Sequence, residues 1–161
     1  MRRAAFAVLF LAMTMMSLPA FALDPGQAEG TLTVGGATYN LAFAYAIGGQ
    51  KNDSNGRSDD VKVILTDRAL PGNVDLRAIE NTFPDGINGV VMALDNDRLP
   101  SHVFVQHAGG MYDAGYFTNN DRFRFRGRTS SSAVEGHCWA RKITTSTDPI
   151  SYDVSFVATV Q

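Results

Sequence analysis

Hydrophobic and polar residues alternate along most of this chain with a step of two. In ISYDVSFVATV, residues 150–160, Tyr152, Val154, Phe156 and Ala158 fall on one side. In ATYNLAFAYAI, residues 37–47, Tyr39, Leu41, Phe43 and Tyr45 share one face, while Thr38, Asn40, Ala42, Ala44 and Ala46 share the other. That is the repeat of a pleated strand. Similar segments at 31–34, 61–66, 87–94, 101–107, 111–118, 122–128 and 133–143 predict further strands. Gly35-Gly36 reads as a tight hairpin turn, because glycine accepts the positive φ that such turns need. DRALPG, DNDRLP, TSSS and TTSTDP mark other turns, residues 23–29 read as a loose leader, and GGQKNDSNGRSDD, residues 48–60, reads as an exposed loop.

One segment departs from this rhythm. Leu76, Ile79 and Phe83 step by three and four, which predicts a short helix over 74–83 with Asn73 as its cap, Asp75 in its first turn and Pro84 ending it. So short a helix needs to dock on the rest of the protein. Turns every eight to twelve residues are the spacing of sandwiches and barrels, and strands do not alternate with helices. The expected fold is all-β: an antiparallel β-sandwich or partly closed barrel of about eight or nine strands with one short docked helix.

The first 22 residues follow a different logic. Arg2 and Arg3 precede an apolar run that ends in Ala20-Phe21-Ala22. A charged start, a short apolar stretch and small residues at a cleavage point describe a secretory signal peptide cut after Ala22. The run is short for a bilayer core, which needs about 20 residues. No cysteine stands at the cut, so a lipoprotein is not expected. The expectation is a signal peptide, 1–22, and a single β-rich domain, 23–161, in a secreted or periplasmic protein with no membrane span after cleavage. Removing two of the 14 basic residues and none of the 16 acidic ones leaves a net charge of −4. A nucleic-acid binder normally carries a basic excess, so none is expected as partner. Cys138 is the one cysteine, which leaves no internal disulfide. It reads as a buried thiol, a reading the neighbouring Trp139 favours, or else as a free thiol that could pair between chains.

The layout also resembles a family of uncharacterised secreted bacterial β-rich domains. The resemblance rests on GTLTVGGATYNLAFAYAI, on VILTDRALP followed by a short helix, and on VEGHCWARK with ISYDVSFVATV. It implies an exported β-sandwich-like domain with no assigned activity, and it transfers no functional residue.

Candidate chemistry centres on RFRFRGR. On a strand, Arg122, Arg124, Arg126 and Arg128 point one way and Phe123 and Phe125 the other. Such a row suits a sulfate, phosphate or uronate, whose oxygens take paired guanidinium donors. The more ordinary reading is a half-buried strand whose phenylalanines fill the core and whose arginines pair with aspartates on the adjacent strand or face water. NDSNGRSDD has the look of a calcium loop, but Lys51 and Lys62 stand where carboxylates are required. A looser set would use Asp53, Asp59 and Asp60. His102 and His107, and His137 and Cys138, lack the spacing of paired metal ligands, so no metal or cofactor is expected. No serine sits in a nucleophile elbow, and Asp95 and Asp97 lie in a turn-like context.

The expected function is an exported, non-enzymatic binding or interaction module whose partner is an anionic ligand or another envelope protein. Arg122, Arg124, Arg126 and Arg128 are its contact residues. The alternative is a small exported hydrolase-type enzyme acting on an envelope or extracellular substrate, using His102 or His107 with loop carboxylates. A subunit donating an edge strand to a partner is a third reading.

Overall fold

A computed structural model describes residues 23–49, 51–52, 57–79, 83–116, 122–144 and 148–161. The proposed signal peptide, Asp53, and the turn after the 111–118 segment lie outside the described residues. The strands are β1 (Gln27–Val34), β2 (Ala37–Gly48), β3 (Lys51–Asn52), β4 (Arg57–Thr66), β5 (Gly89–Asp95), β6 (Pro100–His107), β7 (Gly110–Tyr116), β8 (Phe123–Thr129), β9 (Ala133–Thr144) and β10 (Pro149–Thr159). Nine of them hydrogen-bond in one sheet, in the order β7-β6-β5-β4-β2-β1-β10-β9-β8, and β3 pairs with β4. The named strand pairs are all antiparallel. The sheet curls into a half-barrel, bringing β6 near β8. The all-β, partly closed form expected from the alternation is therefore the form found.

The inner face of the curl is a continuous apolar layer. Leu32, Leu41, Val63, Leu65, Val90, Met92, Val103, Phe123, Val134, Cys138, Tyr152, Val154 and Phe156 are among its buried side chains. β10 shows why: its even positions from Ile150 to Ala158 are buried and the intervening ones more open. Phe123 stacks on Tyr152 with ring centroids 6.4 Å apart, and Phe125 meets Phe156 at 6.1 Å. Gly127 and Gly136 face each other across β8 and β9. A Cβ on Gly127 would lie 2.1 Å from the Glu135 carbonyl and 2.7 Å from the Phe125 ring. Glycine there lets that ring cover the strand pair.

The convex face differs between its two halves. Over β4, β5 and β6 it is covered by residues 67–79 and 83–88, whose Ile79, Phe83 and Ile87 pack on Ile64, Val91 and Phe104. This explains why β5 is buried on both faces nearly throughout. Asp67 closes the excursion by accepting hydrogen bonds from the Asn88 amide (2.8 Å) and side chain (2.7 Å). Gln106 brackets Phe83, accepting from its N–H at 2.7 Å and donating to its carbonyl at 3.3 Å.

Four expectations change. Among the described residues the short docked helix is a 3-10 turn, Leu76–Ala78, capped by Asp75 rather than Asn73, and residues 80–82 of the expected span lie outside the described residues. The apolar spacing reported correctly which side chains dock, but docking against a sheet does not require a continued helix. The loop expected over 48–60 is partly ladder, with β3 pairing Lys51 to Ser58 and Asn52 to Arg57. Likewise the leader expected over 23–29 already pairs from Gln27 onward. In β2, the inward parity changes between Leu41 and Ala44, beside the irregularity at Gln27 and Gly30 of β1. Tyr45 consequently leaves the face of Tyr39 and Leu41 and joins the outer cluster, where its hydroxyl accepts from the Leu70 N–H at 2.9 Å. The Gly35-Gly36 turn is as expected, with φ of 58° and 90°.

Two core groups carry proton chemistry. Burial pushes the Cys138 thiol far above its ordinary range, and the Asp153 carboxylate adds to this. Burial also raises the Tyr152 phenol well above its usual value, with Cys138 contributing. Both are neutral in the folded protein, whereas an unfolded chain ionises cysteine near about pH 8.5 and tyrosine near about 10. Their stabilising effect is full below about pH 8.5. It falls as pH rises, by about 1.4 kcal/mol per pH unit from Cys138 and by a further such slope from Tyr152 above about pH 10. Urea unfolding of the wild type and of Cys138→Ala between pH 8 and 10 checks this: the variant loses the first slope. Native Cys138 stays unreactive toward a thiol reagent that labels it after unfolding.

Among the described residues the Tyr152 hydroxyl has no hydrogen-bond partner. Tyr152→Phe is therefore expected to leave stability unchanged or raise it by about 1 kcal/mol, read from urea midpoints. Phe83→Ala, which uncovers the outer cluster, is expected to lower stability by about 3–5 kcal/mol in the same assay.

Candidate functional site

Among the described residues, the half of the convex face formed by β1, β10, β9 and β8 has no such cover, and here the alternation presents polar side chains. Register assembles them into cross-strand rows. Thr31, Asp153, Trp139 and Arg124 form one row, and Glu29, Ser155, His137 and Arg126 the next. Gln27, Val157, Glu135 and Arg128 form a third. Directly opposed residues in an antiparallel pair have Cβ atoms about 4.5–5.5 Å apart, so each row is a contact chain.

Arg124, Arg126 and Arg128 all lie exposed on this face, and Arg122 lies exposed just ahead of β8. Phe123 is buried inward and Phe125 packs beside it, as the alternation predicts. Arg128 pairs with Glu135 on the neighbouring strand, its Nε donating to the carboxylate at 2.6 Å. Its side chain is 84% exposed, so the pair stabilises the fold by only about 0–1 kcal/mol. Arg128 thus follows the strand-pairing reading, with a glutamate as its partner.

The centre of the face is a constellation the sequence reading did not assemble. His137 Nε2 lies 2.7 Å from Asp153 Oδ1. Its ring stacks on Trp139, with centroids 4.9 Å apart and planes 18° apart. Cys138 is buried as expected, and its neighbour Trp139 is half-buried on the outer side. Consecutive strand residues face opposite ways, so Cys138 and Trp139 cannot both point inward. That same parity was the signal that placed Trp139.

Past Trp139 the ladder is irregular. Tyr152 pairs with Ala140 but Ile150 pairs with Ile143, so Arg141 and Lys142 together oppose Ser151. This extra residue on β9 turns two consecutive cations outward, and both are exposed. Bulges re-aim side chains in this manner. Beside the bulge lies a depression of about 370 Å³, lined by Thr31, His137, Trp139, Ala140, Arg141, Ser151, Tyr152 and Asp153. Its size is at the small end of the range for small-molecule sites, about 300–1,000 Å³.

The other candidates lie elsewhere. His102 is buried on β6, its Nε2 2.6 Å from Asp113 Oδ1 on β7. His107 Nδ1 accepts from the Gly109 N–H at 3.1 Å within the β6–β7 turn. These partners come from a strand and a turn amide, and the structure does not bring His102 and His107 to one site. Asp95 accepts from the Asp97 and Leu99 N–H groups at 3.0 and 2.9 Å, which holds the β5–β6 turn. Of the looser calcium set, Asp59 and Asp60 belong to β4 rather than to a loop. Among the described residues, no three His, Cys, Asp or Glu side chains form a metal-holding group, and no helix is long and apolar enough to cross a membrane. In comparisons with known proteins, no protein-family model, no curated protein and no solved structure matches the chain.

Proposed function

We propose that this chain is an exported, non-enzymatic binding module that holds an anionic ligand on the outer face of β1, β10, β9 and β8. The observation that carries the reading is where the cations lie. After residue 22 the chain has 12 basic residues, and six of them are Arg122, Arg124, Arg126, Arg128, Arg141 and Lys142. They fall on or beside two adjacent strands of a chain whose net charge beyond that point is acidic. Guanidinium groups on a rigid sheet meet oxyanions with paired donors in fixed directions. The export step rests on the charged, apolar, Ala-x-Ala pattern of residues 1–22.

A second reading, a small exported hydrolase, draws on the His137–Asp153 pair at the edge of the depression. A carboxylate that orients an imidazole is the pairing a general base uses. Wild type would then release products from a polymer it binds, and His137→Ala would not.

The binding reading is tested with Arg124→Ser and Arg126→Ser combined, on columns of a sulfated polymer and of polygalacturonate. The double variant is expected to elute at clearly lower salt than wild type. Equal retention removes the arginine face as the contact surface.

A further inference from the structure

We infer that the depression beside Trp139 is a subsite for one carboxylated sugar ring of a polyuronate, which deepens and rests on the binding reading above. The face as a whole carries charge, but this spot carries more than charge. Trp139 is the larger of the two aromatic rings, with His137, that line it from the outer surface. Its ring is fixed, because His137 stacks on one of its sides and Asp153 holds His137. The stacked histidine covers one side of the indole, and Arg141, two residues along the strand, lines the same depression.

A pyranose matches that geometry. The C–H groups on one side of its ring are weakly positive and meet the negative face of an aromatic system. Its hydroxyls find acceptors and donors in Asp153, Thr31 and Ser151, which line the same depression. A ring carboxylate finds the Arg141 guanidinium that the β9 bulge has turned outward. Bulge, aromatic ring and hydroxyl partners have no common use for a bare phosphate or sulfate, which needs only the cations. Arg124, next to Trp139 in the row, and Arg126 beyond it carry the charge of neighbouring sugar units along the same face.

Trp139 is also the single tryptophan of the chain, so its emission reports on this spot alone. The whole protein is titrated with an oligogalacturonate of defined length, with a neutral hexose oligomer of equal length, and with polyphosphate. A saturable change in Trp139 emission is expected with the oligogalacturonate and not with the other two. Arg141→Ser and Asp153→Asn are each expected to weaken it by about tenfold, the usual effect of losing one charged hydrogen bond. An equal response to polyphosphate overturns sugar recognition. An equal response to the neutral oligomer overturns the part given to Arg141. Retention on a polygalacturonate column without any Trp139 response overturns the subsite while the arginine face stands. Absence of both retention and response removes the two readings together.

Discussion

Burial of one face of a single curled sheet is the interaction on which everything else depends. With one cysteine, and that one buried as a free thiol, no cross-link holds the β-layer. The inner face must close by apolar contact across strands distant in sequence, from Leu32 on β1 through Met92 on β5 to Phe156 on β10. Alternation makes this possible and also sets its consequence. A strand that sends every second residue inward must send the others out. Ser151, Asp153 and Ser155 are outward because Ile150, Tyr152, Val154 and Phe156 are inward.

The outward residues meet two different fates. Over β4, β5 and β6 they include Ile64, Val91 and Phe104, and residues 67–79 and 83–88 fold back to cover these. Over β1, β10, β9 and β8 they are mostly polar or charged and lie half-buried or exposed. A sheet needs only one buried face to be stable, so the second face is free to take on either role. The division is abrupt at β2, where the change of parity hands Tyr45 to the covered side while Tyr39 and Leu41 remain with the inner core. The candidate site thus lies on the only half of the convex surface, among the described residues, where polar side chains gather in register without a lid.

Much of this was legible in the residues. Period-two spacing gave the strands of the all-β fold, and Gly35-Gly36 gave the first hairpin. RFRFRGR gave a strand with arginines out and phenylalanines in. Less legible was anything that depends on pairing between distant strands. Nothing local to His137 announces Asp153, since their contact comes from the β9–β10 register. The helix expected over 74–83 failed for a related reason. Spacing of Leu76, Ile79 and Phe83 records which side chains dock on Ile64, Val91 and Phe104, and a 3-10 turn satisfies that as well as a helix does. Trp139 beside Cys138 marks a strand that borders the core, and parity sends the two side chains to opposite faces.

The bulge on β9 shows how a departure from the rule adds something the rule cannot. Strict alternation would put only one of Arg141 and Lys142 outside and send the other cation into the apolar interior, at a cost of several kcal/mol for an unpaired charge. Opposing both to Ser151 resolves that conflict. Parity then resumes, so that Ile143 returns to the core opposite Ile150. The sequence ARKI is therefore compatible with this fold only through the irregularity. The irregularity in turn sets two cations beside a tryptophan whose orientation is already fixed by His137 and Asp153. The shape of the outer surface and the integrity of the inner layer are settled by the same extra residue.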